Sequence, residues 1–142
     1  MKVGLRTYLL ADAALKAALA SATSIHSFPA PIGAVKPYLM ITRVVGGLMN
    51  TIGESLGVYV ESWQIDVMAT TDAVAEAIKE LVIARLNTAD HVEMGSYFVY
   101  SCSLTGITDN SDLEMEGSET ASIRTTLEFE ILRNITPTPA EA

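Results

Sequence analysis

The chain has 142 residues, with nine Lys and Arg against seventeen Asp and Glu, for a formal net charge of −8. Domains take ~100–200 residues, so this length makes one domain. Hydrophobic residues make up 49% and charged ones 18%, which is too apolar for a disordered chain and too lightly charged for a long helical coil. The shortage of bases excludes a basic nucleic-acid-binding surface. The charge is also lopsided. Residues 1–88 hold seven acids and seven bases, whereas residues 89–142 hold ten acids with only Arg124 and Arg133.

In chain order, Leu5, Tyr8, Ala11, Leu15, Ala18, Leu19 and Ala22 recur at helical spacing and give one apolar stripe. Asp12, at its edge, is a candidate N-cap that splits the region into a short turn and a longer helix. Lys2 and Arg6 precede an Ala- and Leu-rich stretch as in a signal peptide. Asp12 and Lys16 interrupt the part that should be apolar, which argues against export and fits a cytoplasmic setting. The mean hydropathy of +0.31 raises the question of a membrane. The longest unbroken apolar runs, such as Tyr38–Ile41 and Leu81–Ala84, are four residues, where a spanning helix needs about 20.

Phe28-Pro29-Ala30-Pro31-Ile32-Gly33 reads as a loop. Residues 37–45 read as a first strand, followed by a turn-rich stretch with Gly46, Gly47, Asn50, Gly53 and Gly57. Residues 58–68 make a second strand, with Trp63, Ile65 and Val67 on one face and Ser62, Gln64 and Asp66 on the other. Thr71 is placed to cap a second helix, whose apolar face is Val74, Ala77, Ile78, Leu81 and Val82. Glu76 near its start and Arg85 in its last turn suit the helix dipole. Residues 97–107 are a third strand. Residues 121–133 are the clearest strand, with Ile123, Thr125, Leu127, Phe129 and Ile131 alternating with polar residues. Residues 134–142 look like a loose tail after a single domain over 1–133.

The order helix, strand, strand, helix, strand, strand predicts an α+β two-layer sandwich. Two helices pack on one face of a four-stranded, largely antiparallel sheet. The other face, with Gln64, Asp66, Arg124, Thr126 and Glu128, meets water or another subunit.

Chemistry is sparse. Nucleophilic catalysis needs a nucleophile with a base in reach. The bases on offer are His26, in the Pro-rich loop, and His91, in a polar loop. Cys102 sits mid-strand, where a thiol packs as a small hydrophobe, and being alone it forms no internal disulfide. No nucleophile elbow, phosphate-binding loop or zinc-binding helix is present. Gly46, Gly47 and Gly53 have no Lys and lead into no helix that could hold an anion. The stretch they belong to carries Leu48, Met49, Ile52 and Leu56, which form a contact surface or fold back on the core. Asp109, Asp112, Glu114, Glu116 and Glu119 form an acidic segment with no base. Calcium fits it poorly, since Leu113 and Glu114 stand where an oxygen ligand and a glycine belong. It is a solvated hairpin loop or a surface that repels or steers a polyanion. The residues call for no cofactor and no metal.

Four segments are familiar in their order: Leu9-Leu10-Ala11-Asp12-Ala13-Ala14-Leu15; Pro37-Tyr38-Leu39-Met40-Ile41; Gln64-Ile65-Asp66-Val67-Met68-Ala69-Thr70 with Ala73-Val74-Ala75-Glu76-Ala77-Ile78; and Arg124-Thr125-Thr126-Leu127-Glu128-Phe129-Glu130-Ile131. From about residue 3 to residue 133 the chain resembles the tail-completion, or tail-terminator, proteins of long-tailed bacteriophages and gene transfer agents. The departures are the 46–56 stretch, the acidic loop and the Pro-containing tail. The resemblance implies a non-enzymatic virion protein that is assembled in the host cytoplasm. It would form a hexameric ring on the head-proximal end of the tail tube, stop tube growth and meet the head–tail connector. DNA would pass through the ring without specific binding. On that reading Leu48, Met49, Ile52 and Leu56 are candidate interface residues. Asp109, Asp112, Glu114 and Glu116 are candidates to face the channel, where an acidic lining would keep DNA from sticking. The competing expectations are another head–tail neck protein and, from a different class, a small ligand-binding α+β domain with a concave polar pocket.

Overall fold

A computed structural model describes residues 2–21, 24–27, 35–51, 54–110 and 123–134. Its elements are α1 (Lys2–Leu10), α2 (Ala13–Ala18), β1 (Ile25–Ser27), β2 (Tyr38–Thr51), β3 (Glu54–Ala69), α3 (Asp72–Leu86), β4 (Val92–Met94), β5 (Tyr97–Asn110) and β6 (Ile123–Asn134). The strands form one six-stranded sheet in the order β1-β2-β3-β6-β5-β4. β1 runs parallel to β2, and every other neighbouring pair is antiparallel.

The expected four-stranded sheet with two helices is therefore corrected to a six-stranded mixed sheet with three helices. The two additional strands have three residues each, too few for a period of two to emerge from the sequence. The N-terminal stripe does split at Asp12, whose carboxylate accepts from the Ala14 and Leu15 amides at 3.0 and 3.2 Å. The longer piece, however, lies before the cap, with nine residues against six after it. Thr71 caps α3 as expected, accepting from the Val74 amide.

β3 and β6 carry the core. Trp63 stands opposite Phe129 and Ile65 opposite Leu127, and all four are buried. Leu39 and Ile41 of β2 extend this face, and Leu5, Leu9, Leu15, Ile78, Val82 and Leu86 cover it from the helices. The inward face of α3 is Ala75, Ile78, Lys79, Val82 and Leu86, one residue round from the expected stripe, and Val74 is exposed. Lys79 explains the difference. Its stem lies in the packed face while Nζ donates to Glu76 Oε1 at 2.6 Å, so a residue read as polar occupies an inward position. α1 meets the β4–β5 turn through two glycines. A Cβ on Gly4 would land on the Met94 carbonyl, and Gly95, at φ +62°, lies against the Gly4 Cα. No helix among the described residues is long and apolar enough to cross a membrane.

Candidate functional site

Two acids of β3 are fully buried, one on each face of the sheet. Glu61 is in phase with Trp63, Ile65 and Val67. It accepts from Trp63 Nε1 and from Arg133 Nη2, both at 2.9 Å, with Arg43 Nη1 at 3.7 Å. The Arg133 guanidinium lies between two aromatic rings, 4.5 Å from the Tyr59 centroid and 4.2 Å from that of Tyr97. Arg133 also donates to the Asn134 carbonyl. Its stacked, desolvated position suits a guanidinium better than an ammonium. This cluster ties β3, β5 and β6 together at one end of the sheet.

Asp66 points to the opposite face. Thr126 Oγ1 donates to it at 2.6 Å, Arg124 through Nε and Nη2 at 3.1 and 3.3 Å, and Gln64 through Nε2. Tyr38 stands close enough to feel both charges. Burial pushes its hydroxyl above the ordinary value, Arg124 draws it down, and Asp66 adds to the rise. The face expected to be uniformly wet is thus dry at Asp66 and Thr126 and exposed at Glu128.

The turn-rich stretch at 46–56 is a correction. β2 continues through Thr51 and β3 begins at Glu54, so Gly46 and Gly47 lie within a strand. Gly46 is needed there because Tyr59 crosses it from the next strand. A Cβ at Gly46 would sit 2.6 Å from the Tyr59 hydroxyl oxygen. Leu48 and Met49 fall in β2 and Leu56 in β3, while Ile52 lies outside the described residues. β6 pairs with β3 only from Val58 to Ala69, so the end of the β2–β3 hairpin runs past the sheet as a two-stranded arm. The Glu61 cluster stands at its base.

At the other end, Asp109 is in β5 opposite Thr125, whose hydroxyl donates to it at 3.3 Å. Asp112, Glu114 and Glu116 lie outside the described residues, as do Glu119 and the Pro-rich loop. Asp109 also lines a cleft of about 420 Å³ with Asp72, Glu76, Arg124 and Thr125. Arg124 is already engaged by Asp66, and no group of three or more potential metal ligands occurs among the described residues.

Among the described residues, the two candidate bases meet aromatic rings and neither hydrogen-bonds to the Cys102 thiol. His26 lies in β1, edge-on to Tyr38, and His91 is edge-on to Phe98. Cys102 is buried, and burial, with a smaller contribution from Asp90, pushes its thiol up to about 12. The sequence did not reveal Glu61 and Arg133 as partners. A signal existed, since each is a charge on the inward phase of its strand, but it needs the β3–β6 register to be read.

The profile of the family described as tail completion protein gp17 matches residues 3–132. No curated protein sequence matches. Among solved structures, a chain from the virion of a native gene transfer agent particle superposes with a TM-score of 0.70 at 18% identity. The match covers 94% of each chain, and the two share a fold. A match over nearly the whole length places this chain in the tail completion protein gp17 family, as a structural protein of the bacteriophage-type tail.

Proposed function

We propose that this protein forms a hexameric ring that caps the head-proximal end of the tail tube, halts tube polymerisation and presents the surface that joins the head. Membership of the tail completion family supports the role, and the family resemblance supplies the number six. The observation that carries the ring itself is the sheet, which among the described residues has helices on one face only and long strand edges without partners at both sides. A ring needs two different patches per subunit, each meeting the other on a neighbour.

With the helices outside, the polar face would line the passage. On that face Glu128 is exposed and Glu130 half-buried, and the cation Arg124 is held by Asp66. Such a lining releases phosphates instead of gripping them. Asp109 stands on the helix-bearing face opposite Thr125, and a channel-facing role is proposed only for Asp112, Glu114 and Glu116. The partners are further copies of the chain, the major tail tube protein and the head–tail connector. Assembly takes place in the host cytoplasm, and the ring stays in the virion neck. No catalytic step is assigned.

Native mass spectrometry and negative-stain images test the ring. A hexamer, free or on the end of purified tail tubes, is expected, and a monomer that never caps tubes would overturn it. Binding to DNA-filled heads but not to tubes would make the protein a head-side joining component instead.

A further inference from the structure

We propose that neighbouring copies of this chain join by antiparallel pairing of the open edge of β2 in one copy with the open edge of β5 in the next. That junction presupposes the ring proposed above and names its contact. Among the described residues, β1 pairs with β2 only along Leu39–Ile41. β4 pairs with β5 only along Tyr97–Val99, with one further bond from the His91 amide to the Tyr100 carbonyl. This leaves Thr42–Thr51 and Ser101–Asn110, two stretches of equal length, with no strand on their outer sides. Bare edges of that length are templates for another strand. Three exposed large hydrophobic residues, Val44, Tyr100 and Ile107, lie on or beside them.

Direction and register both follow from the sheet. β2, β3, β6 and β5 alternate in direction, so a copy repeated around a ring brings its β2 antiparallel to the β5 of its neighbour. The short outer strands then act as stops. Through the sheet, Leu39–Ile41 stand level with Ile107–Asp109. Level docking would therefore drive β1 of one copy into β5 of the next, and β4 into β2. Sliding the copies past each other clears both collisions when Thr42 faces Asn110, and this uses both open edges in full.

Thr42 stands level with Gly106 of its own copy, so the slide is about four residues, roughly 13 Å. Each copy spans about four strand spacings, or ~19 Å. The combination tilts the strands by about 35°, within the range of closed barrels. Each open edge carries one bulge, between Arg43 and Val45 and between Leu104 and Gly106, so the two strands are in step at both ends of the junction and one residue out of phase along 45–47 against 105–107. The same register sets Arg43 of one copy against Asp109 of the next. Both lie on the helix-bearing side, the Arg43 side chain is 52% exposed, and Asp109 is exposed.

The test uses full-length protein with Cys102→Ala and single cysteines at the two edges. An Arg43→Cys copy mixed with an Asp109→Cys copy is expected to give disulfide-linked dimers under mild oxidation, whereas either alone gives none. The double variant is expected to give a covalent ladder ending at the ring. In parallel, Arg43→Glu should lower ring yield about tenfold, and adding Asp109→Arg should restore it. Circular dichroism confirms that each variant is folded. If wild-type rings form but the mixed cysteines stay unlinked, or either cysteine links to itself, or the reversed charges fail to rescue, edge pairing is overturned and the ring stands. If wild-type protein forms no ring, free or on tubes, the ring falls and this junction falls with it.

Discussion

Glu61 and Asp66 occupy the same strand, are equally buried, and face opposite ways. Glu61 lies on the helix-bearing face, and its two closest partners are themselves enclosed, with only the longer contact at 3.7 Å coming from the half-exposed Arg43. Arg133 is stacked between Tyr59 and Tyr97, and Trp63 is in the core. Asp66 lies on the open face, where its main cation, Arg124, keeps 36% of its side chain in solvent. The difference is in what happens when one partner is lost. Removing Glu61 strands a charge that cannot reach water, whereas removing Asp66 leaves a charge that can. Burial of an acid alone therefore does not set its structural weight. The escape route of its partner does.

Replacing Glu61 by Ala should have the largest effect, about 3–5 kcal/mol, because an uncompensated buried guanidinium remains. Asp66→Ala should cost about 2 kcal/mol, since Thr126 and Gln64 lose an acceptor but Arg124 rehydrates. Urea denaturation of the two variants measures the gap, and equal losses would show that Arg124 is as trapped as Arg133. Gly46→Ala sharpens the comparison on the Glu61 side. Its Cβ displaces Tyr59, one of the two rings against Arg133, and about 1 kcal/mol of stability should go with it. If that loss vanishes in a Tyr59→Ala background, the Gly46 effect runs through the ring.

The sequence discloses the strands where burial is one-sided and long. The alternation from Ile123 to Ile131, the Trp63, Ile65 and Val67 phase and the Thr71 cap all stand in the structure. It conceals β1 and β4, whose pairing comes from neighbours and not from any pattern of their own. It also misleads at Gly46 and Gly47, which look like a turn because a glycine that admits a cross-strand aromatic has the same letter as one that bends the chain. Asp66 is read as wet for a similar reason. Alternation assigns a residue to a face, but the side chains that dry it come from β2 and β6, distant in sequence. The proposed assembly edges are invisible for the same cause, because an edge is defined by which strands fail to cover it.

The smallest expected effect lies in alkaline solution and belongs to the Asp66 side. The Tyr38 hydroxyl is raised chiefly by burial, so the folded protein holds its proton more tightly than the unfolded chain does. Lys79 is raised too, first by its hydrogen bond to Glu76. A raised group leaves stability undiminished below its unfolded value. Stability is then lost as pH climbs from that value through the folded one. In a Cys102→Ala background, which removes the thiol's own loss above its ordinary value of 9.0, stability should thus be level up to about pH 10 and fall above it, from the ordinary value of 10.0 for Tyr38 and 10.5 for Lys79. Tyr38→Phe should remove one part of that fall and Lys79→Met another, without altering the plateau's width on the acid side. Denaturation midpoints taken from pH 8 to pH 11.5 decide it. A Tyr38→Phe variant that falls as steeply as its parent would mean that the hydroxyl is not desolvated in solution, and the Asp66 face would then be wetter than its hydrogen bonds imply.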